Sequence, residues 1–335
     1  MGHKNKYTRT LHQQAHATLQ GMLSPGSSKA EGRRAGEMAD HIYSFSTYHD
    51  YKRHVNAFCR WANEVHPEVT SLTEARAYVR EYMEEREEAG YSAWTLSAEN
   101  AALCKVLKIK PEDEDRYTPP TRHRADITRS RGEAVRDNDF SEEANSDLVD
   151  FCRACGPRRG ALERLTGDDL YSREEALEAL EEAREDGDSA RVVAFETALN
   201  AFEDEGLFIY YNHDKGGKSR LSPVIADEDV QQAIIDRFEA TPAGERVWDS
   251  VPSHADIHAY RADYATRLYE DYARPSEDLN ASRKIVTLAG EVRSEMYSCR
   301  GDRKGDRLDY VAAERVSIAL GHHRVDTAVT NYIRK

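Results

Sequence analysis

The stretch GLFIYYNHDKGGKSRLSPVI, residues 206–225, decides the fold class, because it carries the one clear strand signal in a chain that otherwise reads as helix. Gly206 to Tyr211 is aromatic and β-branched, the composition of a strand. Asp214-Lys215-Gly216-Gly217-Lys218 supplies a glycine-rich turn, and Leu221 to Ile225 returns as the partner strand. One small sheet among amphipathic helices predicts a mainly α protein of the α+β class.

On the N-terminal side of this hairpin, Arg173–Glu205 reads as a charged, solvent-facing helical pair. From Tyr171 to Glu205 there are twelve acidic residues against three arginines, 3 − 12 = −9. Four shorter helices are expected near the start of the chain. Residues 4–23 form a basic one, ended by Ser24-Pro25-Gly26. Residues 47–65 carry Tyr48, Tyr51, Val55, Phe58 and Ala62 on one apolar stripe. Ser71-Leu72-Thr73-Glu74 is a capping box opening a third helix that runs to Gly90, and Ser92 to Leu107 is the fourth. The resulting division is a helical domain over 1–110, a Pro-rich basic linker over 111–137, and a second domain over 138–335. The second domain is expected to carry helical insertions near 171–205 and 274–315.

Charge must be read locally. The 335 residues sum to −14, an unpromising total for a partner of nucleic acid, whose phosphates require Lys and Arg. Most of that excess sits in the acidic pair. Arg116 to Arg136 holds six arginines against Asp126 and Glu133, 6 − 2 = +4, a segment suited to a phosphate backbone. No apolar run approaches the roughly 20 residues of a membrane span, and no secretory leader is evident. A cytoplasmic, nucleoid-associated location without membrane contact is expected. Cys152 and Cys155 form a lone CxxC with no second ligand pair, so the five cysteines read as core residues and no metal is expected.

Four segments carry chemistry in combination. They are Cys155-Gly156-Pro157-Arg158-Arg159, the Lys215 turn, His258-Ala259-Tyr260-Arg261, and Leu320-Gly321-His322-His323 followed by Tyr332. Cutting a phosphodiester without a metal needs a nucleophile, cations on the non-bridging oxygens and an acid for the leaving oxygen. A tyrosine can attack, two arginines can clamp oxygens as planar forks, a lysine can protonate the leaving group, and histidines titrate near neutrality. Each segment alone is ordinary: HxxR is usually a surface pair, and a late tyrosine is usually core.

Together and in this order, the segments resemble the active-site boxes of the tyrosine recombinase (phage integrase) family. The resemblance runs from about residue 46 to 335. It implies Arg158, Lys215, His258, Arg261, His322 and Tyr332 as catalytic residues, with His323 an alternative to His322 because Tyr332 lies ten residues beyond His322. It also implies an N-terminal core-binding domain closing with the catalytic domain as a clamp around DNA. The acid usual three residues after the first arginine is Ala161 here. Contacts to DNA are expected from Arg122, Arg124, Arg129, Arg131, Lys218 and Arg220. The implied activity is strand cleavage and rejoining at a specific double-stranded DNA site of a mobile element, through a 3′-phosphotyrosyl link and without a cofactor. The expected assembly is a homotetramer on DNA, with an accessory DNA-bending protein as a further partner. A telomere resolvase or type IB topoisomerase shares this chemistry, and a non-catalytic DNA-binding protein is the alternative from another class.

Overall fold

The computed structural model describes residues 9–114, 116–123, 126, 140–214, 217–322 and 324–334. The chain divides into two compact units, Met1–Arg122 and His123–Lys335.

The first unit is helical among its described residues apart from a lone parallel bridge between Leu23 and Ile42: α1 (Leu11–Met22), α2 (Lys29–Arg34), α3 (Phe45–Val65), α4 (Leu72–Ala75), α5 (Val79–Glu88) and α6 (Ala93–Val106). All of its α-helices except α5, which follows a 3₁₀ turn, start where the sequence offers a side-chain acceptor. Thr10 caps α1 in a capping box with Gln13, so this helix begins at Leu11; the expected start near residue 4 lies outside the described residues. Ser71 and Glu74 form the anticipated capping box. The helix expected from there to Gly90 is broken, because a 3₁₀ turn at Arg76–Tyr78 separates α4 from α5. The apolar stripe of α3 is buried, with Val55, Phe58 and Ala62 at 0 % exposure, against Leu96, Ala102 and Leu103 of α6. Burying each large side chain contributes roughly 1.5–3 kcal/mol.

The second unit begins with α7 (Ser146–Cys155) and the single turn α8 (Arg159–Leu162), followed by β1 (Leu170–Ser172). The acidic pair α9 (Arg173–Glu185) and α10 (Ser189–Ala201) comes next. Strands β2 (Leu207–Asp214) and β3 (Lys218–Pro223) form the hairpin. Helices α11 (Glu228–Glu239) and α12 (Ile257–Tyr272) follow it. The sheet is antiparallel in the order β1-β2-β3, with Tyr210 opposite Leu221, Tyr211 opposite Arg220, and an irregularity between Tyr211 and Asp214.

Both faces of β2 are covered, which explains its unbroken apolar run. Phe208 and Tyr210 join a core with α9, α10 and α12, while Ile209 and Tyr211 join a second core with α7 and α11. The acidic pair is therefore not wholly solvent-facing: Leu180, Phe195, Leu199 and Phe202 build the first of these cores, and only the opposite faces carry the acids. All five cysteines are buried free thiols.

The segment 274–315 departs from the helical expectation. It forms two small hairpins, β4 (Lys284–Val286) with β5 (Val292–Ser294) and β6 (Met296–Ser298) with β7 (Arg307–Asp309). Turn glycines Gly290 and Gly301 adopt positive φ, and β-branched Val286 and Val292 pair across strands, so local turn chemistry overrides helix. Helices α13 (Tyr310–Ala319) and α14 (Val325–Asn331) close the unit.

Candidate active site

Two helix ends and the hairpin build the site. Helix α7 stops at Gly156, whose φ of 56° is left-handed and whose Cα faces Tyr264 so closely that a Cβ would lie 2.2 Å from the ring. Only glycine satisfies both demands. The carbonyl of Gly156 accepts hydrogen bonds from Arg261 Nη1 and, at 3.3 Å, from Arg220 Nη2. Helix α13 ends in the same manner at Gly321, with φ 65° and an added Cβ 2.9 Å from Arg220 Cδ. Its final carbonyls are engaged too. Ala319 O accepts from Arg220 Nη1 at 2.6 Å and from Ser222 Oγ at 2.7 Å, and Leu320 O accepts from Arg261 Nη2 at 2.7 Å. Carbonyls at a helix C-terminus carry partial negative charge, so two helix ends hold two guanidiniums that would otherwise be costly to bury. Arg261 is 0 % exposed and Arg220 4 %.

Arg158 occupies the N-cap of α8, with extended backbone. Its Nη1 donates to Asp214 Oδ2 at the end of β2, and the same oxygen accepts from Arg220 Nε at 3.1 Å. Tyr332, the residue after α14, is 6 % exposed. Its ring lies 5.1 Å from that of His258 and 5.2 Å from that of His322, and Arg261 Cζ is 5.3 Å from its centroid. The chain beyond it is pinned to α12. Ile333 is buried, Arg334 N donates to Thr266 Oγ1 at 3.0 Å, and Arg334 Nη1 reaches Asp263 Oδ1 at 2.5 Å. Helix α12 thus presents His258 and Arg261 on one turn beside the tyrosine that it helps to anchor.

The electrostatics follow from crowding cations in a dry place. Burial, then the neighbouring guanidiniums of Arg220 and Arg158, push Arg261 down to about 9, partly offset by Tyr332 and Asp214; it stays cationic at neutral pH. Burial, then Arg261, Arg158 and Arg220, push His322 down to about 3, so its imidazole is neutral. His322 Nε2 and Arg261 Nε are buried without a hydrogen-bond partner among the described residues. Unmatched polar atoms beside a cation cluster are what an anionic ligand would satisfy.

The structure brings together five of the six residues expected at the site: Arg158, His258, Arg261, His322 and Tyr332. Lys215 lies outside the described residues, as do the alternative His323 and the expected DNA contacts Arg124, Arg129 and Arg131. Arg122 is exposed, its Cζ 4.9 Å from the Trp94 ring centroid, and Lys218 is exposed at the start of β3. Arg220, expected to contact DNA, is instead buried, with its guanidinium committed to Asp214, Ser222 and the carbonyls of Gly156 and Ala319. Asp214 was not anticipated at all. Its partners Arg158 and Arg220 come from a different helix cap and the facing strand, and only folding reveals them.

The phage integrase N-terminal SAM-like domain family matches residues 38–110, within the helical first unit. No curated protein matches the chain. Among solved structures, the chain is similar to the Tn1549 transposon integrase in complex with circular intermediate DNA, at 12 % identity and TM-score 0.43, covering 98 % of this chain and 96 % of that one. It is also similar to that integrase in complex with transposon right end DNA, at 13 % identity and TM-score 0.40 with the same coverage.

Proposed function

We propose that this chain, an integrase-family protein by its residues 38–110, is a site-specific tyrosine recombinase of a mobile element that cuts and rejoins double-stranded DNA. One observation carries the reading: a tyrosine ring stands about 5 Å from two imidazoles and a buried guanidinium, with a second guanidinium and two unmatched N–H or ring nitrogen positions close by.

In the mechanism, Tyr332 Oη bonds to phosphorus as the bond from phosphorus to the 5′ oxygen breaks, leaving a 3′-phosphotyrosyl link. His258 is the group placed to accept the phenolic proton. Arg158 and Arg261 hold the non-bridging oxygens, and their charge counts most as negative charge builds. His322, kept neutral, serves as a hydrogen-bond partner rather than a cation. Lys215 is assigned the proton for the departing 5′ oxygen. The link conserves the bond energy, so a 5′ hydroxyl from the partner duplex reverses the step and no cofactor enters. Cutting two duplexes on both strands takes four tyrosines, hence a homotetramer on DNA. An accessory DNA-bending protein and work at the nucleoid belong to the same reading.

The test uses a nicked duplex carrying the sequence that the full chain selects from a randomised pool. Wild-type protein becomes covalently joined to it, while Tyr332→Phe shifts the same probe and forms no adduct. An adduct of equal yield from the Phe variant would remove Tyr332 from its role. Supercoil relaxation by a monomer on arbitrary DNA would point to a topoisomerase, and closed hairpin ends to a telomere resolvase.

A further inference from the structure

We propose that Asp214 is the positioning residue for the first arginine, holding its guanidinium fork in the orientation that the transition state requires. The inference rests on the recombinase reading and deepens it at the same site.

Asp214 is 6 % exposed and is the last residue of β2. Its Oδ2 takes both Arg158 Nη1 and Arg220 Nε. Arg220 is itself fixed by Ser222 and by the carbonyls of Gly156 and Ala319. A chain of hydrogen bonds therefore runs from the ends of α7 and α13 through Arg220 and Asp214 to Arg158. Position 161, three residues beyond Arg158 on the same turn, is a buried alanine and supplies no carboxylate. The hairpin provides it instead, from the last residue of β2.

The geometry leaves Arg158 useful. A guanidinium has five N–H donors in a rigid fork, and Asp214 engages one terminal nitrogen, so the rest of the fork stays available to phosphoryl oxygens.

The experiment compares wild type, Asp214→Asn and Asp214→Glu on the nicked duplex, measuring DNA affinity and single-turnover adduct formation separately. Asp214→Asn is expected to bind DNA as tightly as wild type or tighter. Its adduct formation is expected to slow by roughly ten- to a hundredfold, the scale of a small misplacement of a clamp. Asp214→Glu, which keeps the charge, recovers part of that loss. Because Asp214 acts through Arg158, adding Asp214→Asn to Arg158→Ala costs nothing further. A wild-type rate in Asp214→Asn, or an equal loss in the Arg158→Ala background, would overturn the proposal, as would parallel losses of affinity, melting temperature and rate. If Asp214→Asn does not fold, the Arg158→Lys variant, which keeps the charge but loses the oriented fork, carries the same expectation of slow cleavage at unchanged affinity; a wild-type rate from it overturns the proposal. If wild-type protein itself forms no Tyr332-dependent adduct, the recombinase reading fails, which is a different result.

Discussion

Each unit buries an ionic cluster, and the two clusters have opposite stoichiometry. In the first unit Glu99, 1 % exposed, is surrounded by donors: Tyr82 Oη at 2.9 Å, Arg86 Nε at 3.1 Å and Nη2 at 3.3 Å, and His54 Nδ1 at 3.6 Å. Burial pushes its carboxyl up, but the hydrogen bonds from His54, Arg86 and Tyr82 outweigh this and hold it below the usual range. In the second unit three guanidiniums cluster around a single carboxylate, which accepts from Arg158 and Arg220 while Arg261 donates to backbone carbonyls, and Arg261 Nε and His322 Nε2 remain unmatched. A saturated cluster stabilises a fold, and it has no capacity for a ligand. A cation-rich cluster with an unmatched Arg261 N–H and an unmatched ring nitrogen is poorly balanced on its own and becomes balanced by an anion. The contrast separates structural from functional burial without appeal to any motif.

The largest effect that sharpens this contrast is expected at Arg261. Arg261→Ala removes both a phosphate clamp and the donors to Gly156 O and Leu320 O. Adduct formation should fall by about 10²–10³, the scale of losing one preorganised donor to developing charge. Stability should also fall, by roughly 1–3 kcal/mol for the Leu320 carbonyl left unmatched, while Gly156 O keeps Arg220. Cleavage assays and thermal melts of the same preparation check both. Unchanged cleavage per folded molecule would make Arg261 a structural cation like those around Glu99.

The counterpart in the first unit is Glu99→Gln. It leaves Arg86 and Tyr82 without their anion and should cost about 2 kcal/mol, read as a lower melting temperature. Once corrected for the folded fraction, the rate of adduct formation on the nicked duplex should not change. A slower rate at full folding would tie this cluster to the reaction and dissolve the distinction.

Legibility from sequence follows the same division. The helices of the first unit were readable because Ser71, Ser92 and the stripe on α3 act within a few residues of themselves. The chemistry-bearing residues were readable because their types, order and spacing limit what they can do. Asp214 and Arg220 were not, since their partners lie far along the chain: Arg158 is 56 residues from Asp214, and Ala319 is 99 from Arg220. An arginine on a hairpin looks like a surface cation until a helix end is seen to cover it. Glu99 was equally silent, a charge on a helix that resembles any solvated acid. The two hairpins of 274–315 are illegible in the sequence because each strand is only three residues long, too short for a period to register.

The smallest effect separates the neutral imidazole from the cations around it. An exposed histidine titrates near 6.5, whereas burial and three guanidiniums hold His322 near 3. The folded protein therefore resists protonation that the unfolded chain accepts. The stability tied to this group is present above about pH 6.5 and is lost as pH falls from there toward 3. Between pH 7 and pH 5 the loss should be on the order of 1 kcal/mol, about half the full linkage value because the ring is partly exposed and solvent screens it. His322→Asn keeps a neutral polar group that does not titrate, so its melting temperature should fall less than that of wild type over this interval. The acid limb of adduct formation should be the same in both proteins, because a group already neutral at pH 5 cannot produce it. An acid limb near 6.5 that disappears in His322→Asn would mean that the imidazole takes a proton inside the cluster. The cluster would then tolerate a fourth cation, and its excess positive charge would no longer distinguish it from the saturated site around Glu99.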